Sequence, residues 1–418
     1  MWRTNATRKK WGRGPLLRVL LLAALLVAVG VGAYEYGRSQ SPAALSGPDQ
    51  KSLRLYAEAL DAVRDSYVDR EAIDPRKQTY GAIEGMLDSL GDEGHTRFLT
   101  PEERKENQQG LSGNYVGIGV QLEDRDGRVV VAAPIEGSPA DRAGIEAGDV
   151  LVAVNGRSVD GEDLGRIADR VKGPEGTRVE ITVLRNGEEK TFYLERAEIE
   201  SPAVSWAVVR GTDVAHIRLS SFSDDSAREL RAAFEEARLD GARRFVLDLR
   251  DNPGGRLEQA VEVAGFFLEP GSVVYIRRDA SGEREPVRAD GEAELSEVPL
   301  AVLVNGGSAS SAEILAGALR DNGRAKVIGQ RTFGTGTVLS EFVLSDGSAI
   351  LLGVAEWLTP DGDFIRDTGI EPDIRVGLGE GEEPLSPSQT ERLSQEEISR
   401  RDPQLWRAVR ELAGDGKV

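Results

Sequence analysis

Asn305-Gly-Gly-Ser-Ala-Ser-Ser-Ala-Glu-Ile-Leu-Ala316 is the stretch on which the fold turns. Residues 301–305 (AVLVN) are a short apolar run with β-branched residues and read as a buried strand. Small residues follow, and residues 312–319 (AEILAGAL) have helical composition. A strand, a tight small-residue turn and a helix start put the turn's serines at a helix N-terminus. Backbone N–H groups there can stabilise an oxyanion. Taken alone, a serine at such a place reads as an N-cap, so the surroundings must decide.

Upstream, residues 245–255 (FVLDLRDNPGG) read as a strand running into a Gly-rich turn. Downstream come residues 329–336 (GQRTFGTG), 344–349 (LSDGSA), 357–362 (WLTPDG) and 369–373 (GIEPD). In this order the motifs resemble the carboxyl-terminal processing proteases, serine peptidases with a ClpP/crotonase-like core and an inserted PDZ domain. The resemblance covers about residues 51–378. It implies a mixed α/β fold with an N-terminal helical region and a β-rich PDZ insert. It also implies that Ser310, the second serine of Ser-Ala-Ser, is the nucleophile. The oxyanion donors would be the backbone N–H of Ser311 and that of Gly254 or Gly255.

The chain departs from the family pattern at the base. The family motif Thr-Phe-Gly-Lys-Gly has Thr335 in place of its lysine here, and a supporting glutamine four residues on is Leu339. A threonine hydroxyl cannot act as a general base near neutral pH. Lys326 lies outside the motif and reads as a surface residue beside a strand. The candidate base is His95, in Asp92-Glu-Gly-His-Thr96, which resembles the context of the catalytic histidine in tricorn-like relatives. An imidazole needs little tuning to accept a proton near neutrality. Against this, His95 could simply cap the helix that follows. His216, the other histidine, sits in an alternating strand and reads as a packing residue. Asp367 and Glu371 lie near the region that supplies an acid in tricorn-like relatives. Arg366 interrupts the match, so the acid that would orient His95 is unassigned. Three readings follow: a serine peptidase with a substitute base, a pseudoprotease acting as a peptide-binding adaptor, or a structural exported protein.

Composition sets bounds on all three. The chain has 418 residues, room for two or three domains, and 39% hydrophobic content, enough for packed cores. It has no cysteine, which excludes disulfides and a thiolate nucleophile, and only two histidines; no metal or other cofactor is expected. Residues 1–18 hold six basic residues and no acids, so the formal charge of −19 becomes −25 for the remainder. So acidic a body is a poor partner for nucleic acid. Residues 16–35 are apolar apart from Arg18 and Glu35, and span about 28 Å as a helix, close to a bilayer core. Basic residues before the run place that end in the cytoplasm. The segment is either a single-pass membrane anchor or a cleaved signal peptide, and both export the body.

The expected organisation is a basic cytoplasmic segment (1–15), the anchor or signal (16–35), a linker (36–50), a helical region (51–112), the PDZ domain (113–198), the protease core (199–378), and an acidic linker with a C-terminal helix (379–418). Residues 53–67 and 77–90 have helical apolar spacing, and Thr100-Pro-Glu-Glu103 predicts a capped helix start. Residues 279–297 are charged and read as a loop. Within 113–198, residues 138–151 (SPADRAGIEAGDVL) resemble the central run of PDZ domains, and Leu164, Ile167, Ala168 and Val171 share one helix face. Asn186-Gly187 predicts a hairpin. The loop of Val116, Gly117, Ile118 and Gly119 is the candidate site for a peptide's terminal carboxylate. The expected partners are proteins or peptides with free C-termini, bound by strand addition. Oligomeric state is not legible.

Overall fold

The computed structural model describes residues 47–92, 96–125, 127–135, 137–162, 164–200, 202–379 and 382–414. The anchor-or-signal segment and His95 lie outside the described residues. Among the described residues, no helix is long and apolar enough to cross a membrane. The chain divides at Thr79/Tyr80 into two compact units. In the first, the helix Gly47–Ser66 follows the expected periodicity, yet Leu55 and Val63 stay exposed.

In the second unit, the predicted cap forms as read. Thr100 Oγ1 accepts from the N–H of Glu103, whose carboxylate accepts from Thr100 N–H at 2.8 Å. The helix Pro101–Ser112 ends at Gly113, held at φ 80°. A two-stranded stem follows, Asn114–Gly117 against Ala197–Glu200. It opens into a small domain with its own core, including Ile118, Val131, Leu151, Ile167, Val179 and Leu194. The sheet there runs in the spatial order Val120–Arg125, Arg128–Pro134, Val150–Val154, Arg178–Arg185, Glu188–Glu195. Val120–Arg125 is therefore an edge strand, with the helix Leu164–Val171 packed near it. The Asn186–Gly187 turn has φ 52° and 85°, as a tight hairpin requires. Buried Asp149 accepts two hydrogen bonds from Arg185, both 2.6 Å, tying the Gly148-Asp149 turn to that hairpin.

The larger domain is built on a six-stranded sheet, in the order Val204–Val208, Val214–Leu219, Arg244–Asp248, Leu300–Val304, Lys326–Gly329, Ile374–Arg375. All neighbours but the first pair are parallel. The apolar run of Leu300–Val304 is buried on both faces, as parallel strands are. Val302 and Val304 join the cluster formed with helices Ser226–Leu239, Leu257–Phe267 and Ser311–Asp321. Ala301 and Leu303, pointing the other way, pack with Leu385, Ile398, Leu405 and Val409. Residues 387–413 thus form three helices, Pro387–Thr390, Gln395–Arg401 and Pro403–Ala413, that cover the second face. Of these, only the last is legible in the sequence.

A second sheet pairs Ala349–Leu358 with Arg97–Leu99, Thr337–Val343 and Val273–Arg278. The segment 279–297, read as a loop, contains the strand Arg284–Arg288 at this sheet's edge. Its side chains are mostly exposed, so its charge content is compatible with pairing.

A charged network lies wholly inside the larger domain. His216, Asp248, Arg250, Asp402 and Gln404 are all fully buried. Arg250 donates to Asp248 at 2.9 and 2.6 Å, to Asp402 at 2.9 Å and to Gln404 at 3.0 Å. His216 Nε2 lies 2.9 Å from Asp248, so the packing role read for it holds, with an ionic partner added. Burial opposes the charge on Asp248, but Arg250 and His216 outweigh it and hold the carboxyl far below the usual range. With its folded value below the unfolded one, Asp248 contributes stability that is present above roughly pH 4 and lost on acidification. Arg250→Ala would strand two buried carboxylates. It is expected to cost about 3–5 kcal/mol in denaturant unfolding at neutral pH; a loss below about 1 kcal/mol would show the network to be dispensable.

Candidate active site

Three turns leave the C-terminal ends of three adjacent parallel strands, where sites in open α/β sheets form. They are residues 249–255 after Arg244–Asp248, 305–310 after Leu300–Val304, and 330–336 after Lys326–Gly329. Side chains stitch the first two together. Asn305 Oδ1 accepts from the N–H groups of Asp251 (2.9 Å) and Gly307 (3.0 Å), and its Nδ2 donates to Asp251 (2.8 Å). Ser308 Oγ donates to Leu249 O at 2.7 Å, and Ala309 N–H to Asn252 O at 2.9 Å.

Ser310 sits at the N-cap of Ser311–Asp321 with φ 52° and ψ −118°. Such a backbone is strained for a residue with a side chain and persists only where neighbours enforce it. Gly254 provides part of that enclosure. At φ 98°, a Cβ there would lie 2.7 Å from Ser310 Cβ and 2.9 Å from Ser311 N. Gly255 is equally constrained, since its Cβ would meet Phe222 O at 2.3 Å. The Gly254 N–H is donated to Asn252 Oδ1 at 2.8 Å. Among the described residues, the N–H groups of Gly255 and Ser311 meet no acceptor.

Glu313, one turn into the helix, was not singled out in the sequence. It is fully buried and accepts four hydrogen bonds. Oε1 receives Thr332 Oγ1 at 2.6 Å and Gly334 N–H at 2.7 Å; Oε2 receives Thr335 N–H and Ser310 N–H, each at 2.9 Å. It therefore joins the serine turn to the 332–336 turn. The signal was present: Ser310-Ser-Ala-Glu313 has the S-x-x-E spacing of a capping box. Arg250 was missed for a different reason, because its partner Asp402 lies 152 residues away.

Thr335 is buried, and its Oγ1 accepts from Ser310 N–H at 3.1 Å. Residue 335 thus lies against the serine's backbone, where the family lysine is expected. Leu339 is half exposed in the strand Thr337–Val343, and Lys326 is exposed and pairs with Asp373 at 3.4 Å. Asp367 is exposed at φ 60°, and Glu371 pairs with Arg375. Neither is placed against Ser310 by any hydrogen bond among the described residues. The residues flanking His95 are well tied. Asp92 accepts from Arg366 at 2.7 Å and from Thr96 at 2.6 Å, and Thr96 accepts from Gly353 N–H at 3.0 Å. Arg366 packs on Gly336, where a Cβ would meet its Cβ at 2.6 Å. Asp92, Thr96, Thr337, Gly353 and Arg366 line a cavity of about 530 Å³ beside this turn.

In the smaller domain, a groove of about 310 Å³ runs between the edge strand and the helix Leu164–Val171. Ile118 and Gly119 line it. Val116 and Gly117 do not; they belong to the stem, opposite Glu198 and Ala197. The carbonyls of the loop are occupied: Ala140 N–H donates to Ile118 O, and Ile135 N–H and Ser138 Oγ to Gly119 O. Among the described residues, the amides of Ile118 and Gly119 meet no acceptor.

The strained serine at a helix start, enclosed by a Gly-Gly turn, thus lies on an α/β core, and a separate β-rich domain carries a groove beside an edge strand. Residues 213–376 match the model of peptidase family S41, and residues 130–185 match that of a PDZ domain. A protein of Staphylococcus aureus (strain COL) described as a CtpA-like serine protease is 35% identical over 363 residues, covering 86% of this chain and 71% of the relative. A photosystem II D1 C-terminal processing protease is 34% identical, with a TM-score of 0.47 over 77% of this chain and 92% of its own. A Bacteroides fragilis structure described as an S41 protease is 17% identical, with a TM-score of 0.52 over 81% and 95%, and shows the fold alone. The chain belongs to peptidase family S41, among the CtpA-like carboxyl-terminal processing serine proteases.

Glu313→Gln keeps the shape but turns an amide nitrogen toward two of the four donors. If the carboxylate positions Ser310, kcat on an unfolded protein should fall on the order of 10²-fold with KM little changed. An unchanged kcat would remove Glu313 from the positioning of the site.

Proposed function

We propose that this protein is an exported serine endopeptidase that captures proteins by their free C-terminal tails and cleaves them by acylating Ser310. The observation that carries this reading is the enforced backbone of Ser310 against Gly254. Strain of that kind is held in place at a cost and is concentrated at functional positions. Ser311 and Gly255 are the proposed oxyanion donors, because the Gly254 amide already has an acceptor. Tails would add to the edge strand Val120–Arg125, with the carboxylate on the free amides of Ile118 and Gly119.

His95 is the proposed base. Its support is the motif context, together with the bonds by which Asp92 and Thr96 tie its flanks to Arg366 and Gly353, beside the 332–336 turn. The second reading, a peptide-binding adaptor without catalysis, is favoured by one observation. Thr335 occupies the lysine position with its oxygen engaged by Ser310 N–H.

An unfolded protein substrate separates the two. Ser310→Ala and His95→Ala should each lower turnover by on the order of 10⁴–10⁶, and the double variant should fall little further. Activity should rise with pH through about 6 to 7, as an imidazole loses its proton. Full activity in His95→Ala would eliminate that base; a wild type as inert as Ser310→Ala would leave the adaptor.

Export rests on the basic segment and apolar run of residues 1–35. Protease added outside spheroplasts should digest the body and spare a basic N-terminal fragment if residues 16–35 anchor it. A mature N-terminus beginning after the apolar run would instead indicate a cleaved signal, and a protected body would refute export.

A further inference from the structure

The two proposed oxyanion donors stand on different segments. Gly255 belongs to the turn after Arg244–Asp248, and Ser311 opens the helix Ser311–Asp321. Glu313 holds the serine turn to residues 332–335, and its four bonds do not reach the glycine turn. The relative placing of the two N–H groups is therefore set elsewhere. The glycine turn sets out from Asp251, whose φ of 57° is left-handed. An aspartate tolerates that region without preferring it. Here it is held from across the site. Asn305 Oδ1 accepts the Asp251 N–H at 2.9 Å, and Asn305 Nδ2 donates back to Asp251 Oδ1 at 2.8 Å. The same Asn305 oxygen accepts the Gly307 N–H at 3.0 Å, so one side-chain amide spans both turns. The turns touch at this point, because a Cβ on Gly307 would lie 2.9 Å from Asp251 Oδ1 and 3.0 Å from its Cα. Two further ties follow along the same seam, Ala309 N–H to Asn252 O at 2.9 Å and Ser311 Oγ to Gly255 O at 3.1 Å. Among the described residues, the charged side chain bonded to Asp251 is Arg218, at 3.3 Å. Arg250, its neighbour in sequence, is turned inward onto Asp248 and Asp402.

We propose that Asn305 and Asp251 are positioning residues, whose reciprocal pair sets the glycine turn against the serine turn so that the Gly255 and Ser311 N–H groups converge on one oxygen. The inference rests on the reading of those two amides as oxyanion donors, and not on the identity of the base. The pairing makes a specific chemical demand: an amide must face a carboxylate. A carboxylate at 305 would still accept the two N–H groups, but it would face Asp251 with a second negative charge. Two carboxylates in such contact resist ionising together and take up a proton as the pH falls.

The test measures hydrolysis of an unfolded protein and binding of a short apolar peptide boronic acid. Its boron bonds to the serine oxygen and becomes a tetrahedral anion that places an oxygen on the oxyanion donors. Asn305→Asp should lower kcat at neutral pH by on the order of 10²-fold with KM little changed, and weaken the boronate by a similar factor. The ratio of its kcat to that of wild type should climb as the pH is lowered from about 8 to about 5.5, while the pair takes up its proton. Asp251→Asn alone should cost no more than about threefold, since its side-chain oxygen can still accept from Asn305 Nδ2. Adding Asp251→Asn to Asn305→Asp restores an amide facing a carboxylate, and should return kcat to within about threefold of wild type. Wild-type kcat and boronate affinity in Asn305→Asp, with the boronate still dependent on Ser310, would overturn the positioning role alone. A loss recovered neither by acid nor by the second substitution would mean general damage to the turn, and would overturn it too. A wild type that binds the boronate no more tightly than Ser310→Ala does would overturn the oxyanion reading and this inference together.

Discussion

The carboxylate of Glu313 is the constraint on which the candidate site depends. Four donors converge on it, and they come from two separate turns. A buried carboxylate without partners would be costly; with four, and at the first turn of a helix, its charge is favourable. The consequence is geometric. Ser310 cannot relax from φ 52° without giving up one of those bonds, and residues 332–335 cannot drift from the serine without giving up the other three. Gly254 closes the opposite side, and only a residue without a Cβ fits there.

That arrangement is fixed to the sheet by a second buried set of charges. Arg250 stands directly before the Asp251-Asn252-Pro-Gly-Gly turn and reaches Asp402. Asp402 in turn accepts from Leu385 N–H and caps the helix Pro403–Ala413 through Leu405 N–H. The C-terminal helices and the glycine turn are therefore held through one guanidinium. The packing agrees with the polar contacts, since those helices cover the face of the parallel strands that Val246, Ala301 and Leu303 present. Removing the helices would expose that apolar face and leave Arg250 short of partners at once.

Much of this was legible from local chemistry. The strand Leu300–Val304, the capped helix at Thr100, the Asn186-Gly187 hairpin and the serine turn all follow from nearest neighbours and turn residues, and all are found. What escaped depends on distant pairing. The strand Arg284–Arg288 carries the charge of a loop, and only its place at a sheet edge permits it. Two of the C-terminal helices are short and polar, and their burial is decided by the sheet they cover. Of the four loop residues 116–119 read as a carboxylate site, Ile118 and Gly119 line the groove. Val116 and Gly117 read as carboxylate donors, but pairing with the returning strand takes them into the stem.

The substitution at 335 is best understood against this frame. A lysine there would start its side chain beside the serine's amide, within a turn that Glu313 already holds in register. Thr335 keeps the start of that path and uses its oxygen to accept from Ser310 N–H instead. A threonine hydroxyl is too weak a base near neutral pH to take a proton from Ser310. Any proton acceptor for Ser310 has to come from another segment. The Asp92–Arg366 and Thr96–Gly353 bonds make the loop carrying His95 the segment our proposal selects, since Arg366 lies against Gly336, the next residue after Thr335. Arg366, which interrupts the tricorn-like match, donates to Asp92.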